Sequence, residues 1–293
     1  MQALLVALSL AAGQSPNTPP VTDAYFDSDG VKIHYVTAGE GEPVLLVHGW
    51  ISDATMWGSD ASGNAKPRPP EGFQLIALDC RGHGKSDKPH DAAKYGVELA
   101  NDVVRLLDHL KIRKAHLVGY SMGTFIVAKV AAMHPERVRS LVFAGQSPLI
   151  VGEPSAGPNE IDVLAKAVEE GKGLGAYIMH IWPPERGKLT TEQAEAYAKL
   201  MFNGKDPTAL ALAGQSFPKL GVTADQLKNV KVPMLFVYGS KEGDRLKQRV
   251  SDLRKLLGET ELKVVEGADH TTTLTKPEFS TTLVAFLRSQ KAK

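Results

Sequence analysis

The chain has 293 residues, of which 43% are hydrophobic and 23% charged, enough to bury one large core and a composition that argues against global disorder. Its formal net charge of +1 gives no electrostatic reason to expect nucleic acid or an anionic membrane as partner, so a small neutral or weakly charged molecule suits it better. The single cysteine, Cys80, excludes an intrachain disulfide and reads as a small buried side chain at a strand end.

Ala3 to Ala12 form an apolar run of signal-peptide length, with small residues Ala11 and Gly13 near a cleavage position. The run is too short to span a bilayer. Residues 1–21 are therefore expected to be a signal and a flexible Pro/Ser/Asn/Thr-rich leader, giving a periplasmic or secreted protein with no stable membrane insertion after processing. No Lys or Arg precedes the run, which keeps a cytoplasmic chain as the alternative.

Beyond the leader, Val31, Ile33 and Tyr35 alternate with Lys32 and His34, predicting a half-exposed strand with His34 pointing outward. Pro43 to Val47, Phe73 to Leu78, Ala115 to Gly119 and Val138 to Ala144 are continuous apolar runs, as in strands buried on both faces. Helices are expected from Gly96 to Leu110 and from Met122 to Met133. Strands alternating with helices imply a parallel, doubly wound α/β sheet. From about Gln146 to Asn229 only helix-like pieces occur: Glu160 to Glu170, Leu174 to Ile181, Thr191 to Phe202 and Pro207 to Phe217. Sheet logic returns with Val232 to Tyr238, a helix from Arg245 to Leu257, a strand from Glu261 to Val265 and a last helix from Pro277 to Gln290. The expected organisation is an α/β core over 22–145 and 230–293, interrupted by a helical cap over 146–229.

Gly119-Tyr120-Ser121-Met122-Gly123 sits where a buried strand meets a helix. That is the setting of a strained turn that pushes a serine hydroxyl outward, with the helix dipole behind it. Serine needs a base. Of nine histidines, His270 follows a strand and a Glu266-Gly267-Ala268-Asp269 turn, on a loop at the same sheet edge; the others read as structural or surface residues, with His48 bracing its loop. A carboxylate must orient that base, and two compete in the loop after Tyr238: Glu242 and Asp244. An oxyanion needs two backbone N–H donors. Met122, after the serine, and Trp50, in the loop after Val47, are the candidates, and the Trp50 indole is a candidate pocket wall.

These residues, together with His48-Gly49-Trp50, Asp79-Cys80-Arg81-Gly82-His83-Gly84-Lys85-Ser86 and Gly267-Ala268-Asp269-His270, resemble the α/β-hydrolase superfamily over roughly Val31 to Leu287. The resemblance implies an esterase, lipase, lactonase or related hydrolase with no metal or organic cofactor. The family usually carries Asp where Glu242 stands. Serine at 121 departs from the epoxide hydrolases and haloalkane dehalogenases of the superfamily, which carry aspartate there.

The expected activity is cleavage of a carboxylic ester or related acyl bond in a small, mainly apolar substrate, through an acyl-enzyme. Cap residues such as Tyr177, Ile178, Trp182, Met201, Phe202 and Phe217 are expected to supply an apolar pocket. The alternatives are an acyltransferase on the same residues and a small-molecule receptor on a hydrolase scaffold.

Overall fold

The computed structural model describes residues 21–152, 160–258 and 260–290; the expected export signal and nearly all of the leader lie outside the described residues. Strands β1 (Thr22–Asp27) and β2 (Lys32–Gly39) pair antiparallel. They are followed by β3 (Glu42–Val47), β4 (Phe73–Leu78), helix α1 (Val97–His109), β5 (Ala115–Tyr120), helix α2 (Met122–Met133) and β6 (Val138–Ala144). Among the described residues, five α-helices then intervene before the sheet resumes: α3 (Glu160–Glu170), α4 (Gly175–Ile181), α5 (Thr191–Met201), α6 (Pro207–Gln215) and α7 (Ala224–Asn229). The last elements are β7 (Met234–Gly239), α8 (Asp244–Leu257), β8 (Glu261–Val265) and α9 (Pro277–Ser289).

The eight strands form one sheet in the order β1-β2-β4-β3-β5-β6-β7-β8, antiparallel at β1/β2 and β2/β4 and parallel everywhere else. Alternate residues of each central strand feed two different cores. Leu45, Val47, Leu117, Leu141, Phe143 and Phe236 meet α1, α2 and α8 on one face. Val44, Leu46, Val118, Tyr120, Val142 and Val237 meet α9 on the other. Covered faces on both sides explain why these strands read as unbroken apolar runs.

Three expectations need correction. β1 was not foreseen: it is an edge strand whose Thr, Asp and Ala side chains stay largely exposed or half-buried, so it carries little apolar signal. His34 does not point to solvent. It is 1% exposed, with Nδ1 2.7 Å from Asp79 Oδ2 and Nε2 2.9 Å from Asp23 Oδ1, because β2 lies inside the sheet and its polar positions are covered and paired. The six-residue α7 was also unforeseen; a capping box between Thr223 and Gln226 starts it.

The turn from Asp79 to Ser86 is a structural staple. Asp79 accepts from Ala54 N and Lys85 N, each at 2.7 Å. A Cβ on Gly84 would lie 2.2 Å from the Asp79 carboxyl, so only glycine lets the loop close. Arg81 is fully buried and forks onto Asp102 at 2.7 and 2.6 Å.

Candidate active site

Ser121 occupies the corner between β5 and α2 with φ 52° and ψ −115°, a conformation that costs a non-glycine residue on the order of 1–3 kcal/mol. The flanking glycines make the corner possible. A Cβ on Gly119 would sit 2.3 Å from the backbone of Gly123, and one on Gly123 would sit 2.1 Å from Val47 O. The serine itself is half-buried.

Across 149 positions, His270 Nε2 lies 3.0 Å from Ser121 Oγ. Its other ring nitrogen, Nδ1, lies 3.0 Å from Glu242 Oε1. A carboxylate can only accept, so the proton sits on Nδ1 and Nε2 is left to accept from the serine hydroxyl. Of the two competing acids, the structure brings Glu242 to the histidine. Asp244 begins α8, fully exposed, 3.6 Å from Lys247 Nζ.

The backbone brings the acid and histidine loops together. Ser240 N donates to Val265 O and Lys241 N to Ala268 O, both at 2.9 Å. Gly239 permits this approach, since a Cβ there would lie 2.2 Å from Ala268 O. Behind His270, Asp269 Oδ1 accepts from the amides and hydroxyls of Thr271 and Thr272. Partial burial pushes that carboxyl up, but the threonine donors outweigh it and hold it at about 2.

Desolvation pulls the His270 pKa down, while the hydrogen bond and charge of Glu242, with the charges of Glu160 and Asp269, push it up. The net direction is above 6.5. The side chain keeps 44% of its surface in water, which limits the desolvation. Sequence reasoning gave Glu160, the first residue of α3, no part in the site. Burial raises its carboxyl, with His270 and His180 acting the other way.

The loop after β3 abuts the serine: a Cβ on Gly49 would lie 3.3 Å from Ser121 Cβ. His48 braces it. Its Nδ1–H donates to Gly49 O at 2.8 Å, and Nε2 accepts from Cys80 N at 2.9 Å. Ile51, a β-branched residue, is held at φ 62°, a second strained position, in the loop that abuts the serine. Among the described residues, neither Trp50 N–H nor Met122 N–H has a protein acceptor. The Trp50 indole reaches into the helices between β6 and β7, donating to Leu210 O at 2.9 Å and meeting Tyr177 and Phe217 edge-on at 6.2 and 6.1 Å.

This arrangement has the parts for nucleophilic acyl chemistry: a strained hydroxyl, an imidazole acceptor, a carboxylate on the far nitrogen and two free amides. Among the described residues, no group of three or more His, Cys, Asp or Glu side chains is arranged to hold a metal.

Residues 42–171 match the family model for the alpha/beta hydrolase fold. The esterase from Thermogutta terrifontis superposes with a TM-score of 0.71 over 92% of this chain and 100% of its own, at 21% identity. The chain has the α/β-hydrolase fold, and its residues 42–171 carry that family's sequence pattern. Among curated relatives, the chain is 32% identical to the bifunctional epoxide hydrolase 2 of Sus scrofa over 133 residues, which are 45% of the chain but 23% of that protein. It is 29% identical to 2-hydroxy-6-oxononadienedioate/2-hydroxy-6-oxononatrienedioate hydrolase of Escherichia coli (strain K12), over 87% of the chain and 91% of the relative. These relatives support hydrolase activity in general terms.

Proposed function

We propose that the protein is a serine hydrolase that cleaves a carboxylic ester, or a related acyl bond, of a small and mainly apolar substrate. The observation that carries this is the unbroken contact series from Ser121 Oγ to His270 to Glu242, at 3.0 Å and 3.0 Å. In the first half-reaction Ser121 Oγ attacks the carbonyl carbon and its proton passes to His270 Nε2. The tetrahedral oxyanion is met by the N–H groups of Trp50 and Met122. The carbon–oxygen bond to the alcohol then breaks, and the alkoxide leaves with the His270 proton. In the second half-reaction His270 takes a proton from water as the hydroxide attacks the acyl carbon; the bond to Ser121 Oγ then breaks, His270 returns the proton to that oxygen, and the acid is released.

Ser121 separates this reading from epoxide opening, which in the superfamily runs through an aspartate at that position. The apolar preference is supported by the rings of Trp50, Tyr177, Phe217 and Phe125, which meet edge-on between 5.7 and 6.2 Å beside the loop that abuts Ser121. The helices between β6 and β7 act as the cap that carries Tyr177.

A fluorophosphonate probe tests the reaction without any guess about substrate. The expected adduct maps to Ser121, and Ser121→Ala loses both labelling and p-nitrophenyl butyrate hydrolysis while its circular dichroism is unchanged. Hydrolysis that persists in a folded Ser121→Ala protein overturns the reading.

A further inference from the structure

The residue before the nucleophile makes a contact that the reaction scheme does not use. Tyr120 ends β5, and its hydroxyl donates to the backbone carbonyl of His270 at 2.5 Å. Its ring lies 5.6 Å from the His270 ring and meets Phe279 of α9 edge-on at 6.5 Å. The side chain is 3% exposed, so it has little room to leave. Gly145, at φ 65°, makes space for the ring: a Cβ there would lie 2.8 Å from Tyr120 Cζ.

Two consecutive residues of the corner therefore grip His270 at two different points. Ser121 holds the ring at Nε2, and Tyr120 holds the main chain. The two grips differ in how long they last. The Ser121 contact is consumed when the serine oxygen is acylated, because its proton has gone and the ring must turn to water. The Tyr120 contact involves no reacting atom and persists through both half-reactions.

We propose that Tyr120 is a positioning residue whose hydroxyl keeps the His270 main chain in register with Ser121, above all in the acyl-enzyme, when the serine no longer holds the ring. The catalytic consequence rests on the serine-hydrolase reading; the hold on His270 does not. A loop bearing the base needs such a restraint because a displacement of about 1 Å costs on the order of 100-fold in rate, and 44% of the His270 side chain faces solvent.

Tyr120→Phe removes the hydroxyl and keeps the ring. With p-nitrophenyl butyrate, the expected result is a fall in kcat of about 10-fold with KM within about twofold, and slower deacylation in a burst experiment. A second readout needs no turnover: titration of the His270 ring by NMR in both proteins. The charged groups that act most strongly on that ring are Glu242, Glu160 and Asp269. If the loop loosens in Tyr120→Phe, the Glu242 contact lengthens and the midpoint falls toward 6.5. Wild-type kcat together with a wild-type midpoint overturns the proposal, as does a loss of activity that merely tracks the unfolded fraction. If the wild-type protein shows neither hydrolysis nor Ser121 labelling while Tyr120→Phe still shifts the midpoint, the enzymatic reading fails and the positioning role stands.

Discussion

Three side chains in hydrogen-bond contact are not by themselves a site, and the chain provides its own comparison. At the opposite edge of the sheet, His116 Nδ1 lies 2.7 Å from Ser140 Oγ and its Nε2 3.2 Å from Glu42 Oε2. This second Ser-His-Glu series has geometry as good as that around His270. Yet Ser140 and His116 are both fully buried, and Ser140 lies within the regular strand β6. No substrate can reach it, and its hydrogen bonds satisfy buried polar groups. Access, backbone strain and free amides separate Ser121 from Ser140. The acid can be tested at the same scale. Glu242→Gln is expected to lower kcat by roughly 10²–10⁴-fold, whereas Asp244→Asn should stay within about twofold, since an exposed residue far from the ring contributes little. The pH profile adds a sign. His270 must be neutral to accept a proton, so kcat/KM should rise with pH through a midpoint above 6.5, and Glu242→Gln should move that midpoint down. Stability runs the other way. A raised folded-state pKa contributes stability that is fully present below 6.5 and is lost as pH climbs through the higher value. A rising limb centred below 6.5 in the wild-type protein contradicts this account.

At the scale of elements, the meeting of two loops decides whether the acid reaches the base. β7 and β8 are adjacent parallel strands, so their C-terminal loops emerge side by side, and Gly239 lets them touch. Gly239→Ala would put a methyl group 2.2 Å from Ala268 O, against backbone that cannot rotate away. The expected outcome is a stability loss on the order of 1–3 kcal/mol, read as a drop of a few degrees in Tm. A fall in kcat of at least about 10-fold should accompany it as the His270 loop shifts. Unchanged kcat would mean that the two loops are independent. Elements with strong periodicity were legible in the sequence: α2 and β6 have the predicted bounds, and α3 likewise. Ser121, His270 and the open choice between Glu242 and Asp244 were legible because a strand-to-helix motif and chain order fix which loops share an edge. What stayed hidden was three-dimensional. The choice between the two acids depends on the direction of one side chain in the short connection between β7 and α8. Tyr120 occupies a variable position inside the motif, and nothing local announces a partner 150 positions away. The strain at Ile51 gives no signal either, since a β-branched residue at positive φ runs against local preference.

Over the whole molecule, the helices between β6 and β7 bring the site a charge as well as apolar surface. Leu164, Tyr177, Ile178, Phe202 and Leu210 form a small core of their own, with Trp50 and Ile51 packed against it, so the loop beside the serine and the inserted helices share one cluster. Glu160 enters the same neighbourhood from α3. Next to it, Ile161 approaches Gly214 together with the Trp50 indole: a Cβ on Gly214 would meet them at 2.8 and 3.1 Å. The charges that act most strongly on His270 are of one sign, from Glu242, Glu160 and Asp269. Glu242 is engaged with the ring and Asp269 with its threonines, which leaves Glu160 as the carboxylate most able to act on an incoming group. A substrate bearing its own carboxylate would approach against this field, and selection against the wrong ligand by like charge is an effective device. The wild-type protein should therefore hydrolyse p-nitrophenyl butyrate faster than the p-nitrophenyl monoester of glutaric acid by about 10-fold or more in kcat/KM. Glu160→Gln should narrow that gap at low salt, mainly by accelerating the anionic ester, with little change toward the neutral one. Equal rates on the two esters in the wild-type protein, or a gap that Glu160→Gln leaves intact, would show that the inserted helices select by shape alone.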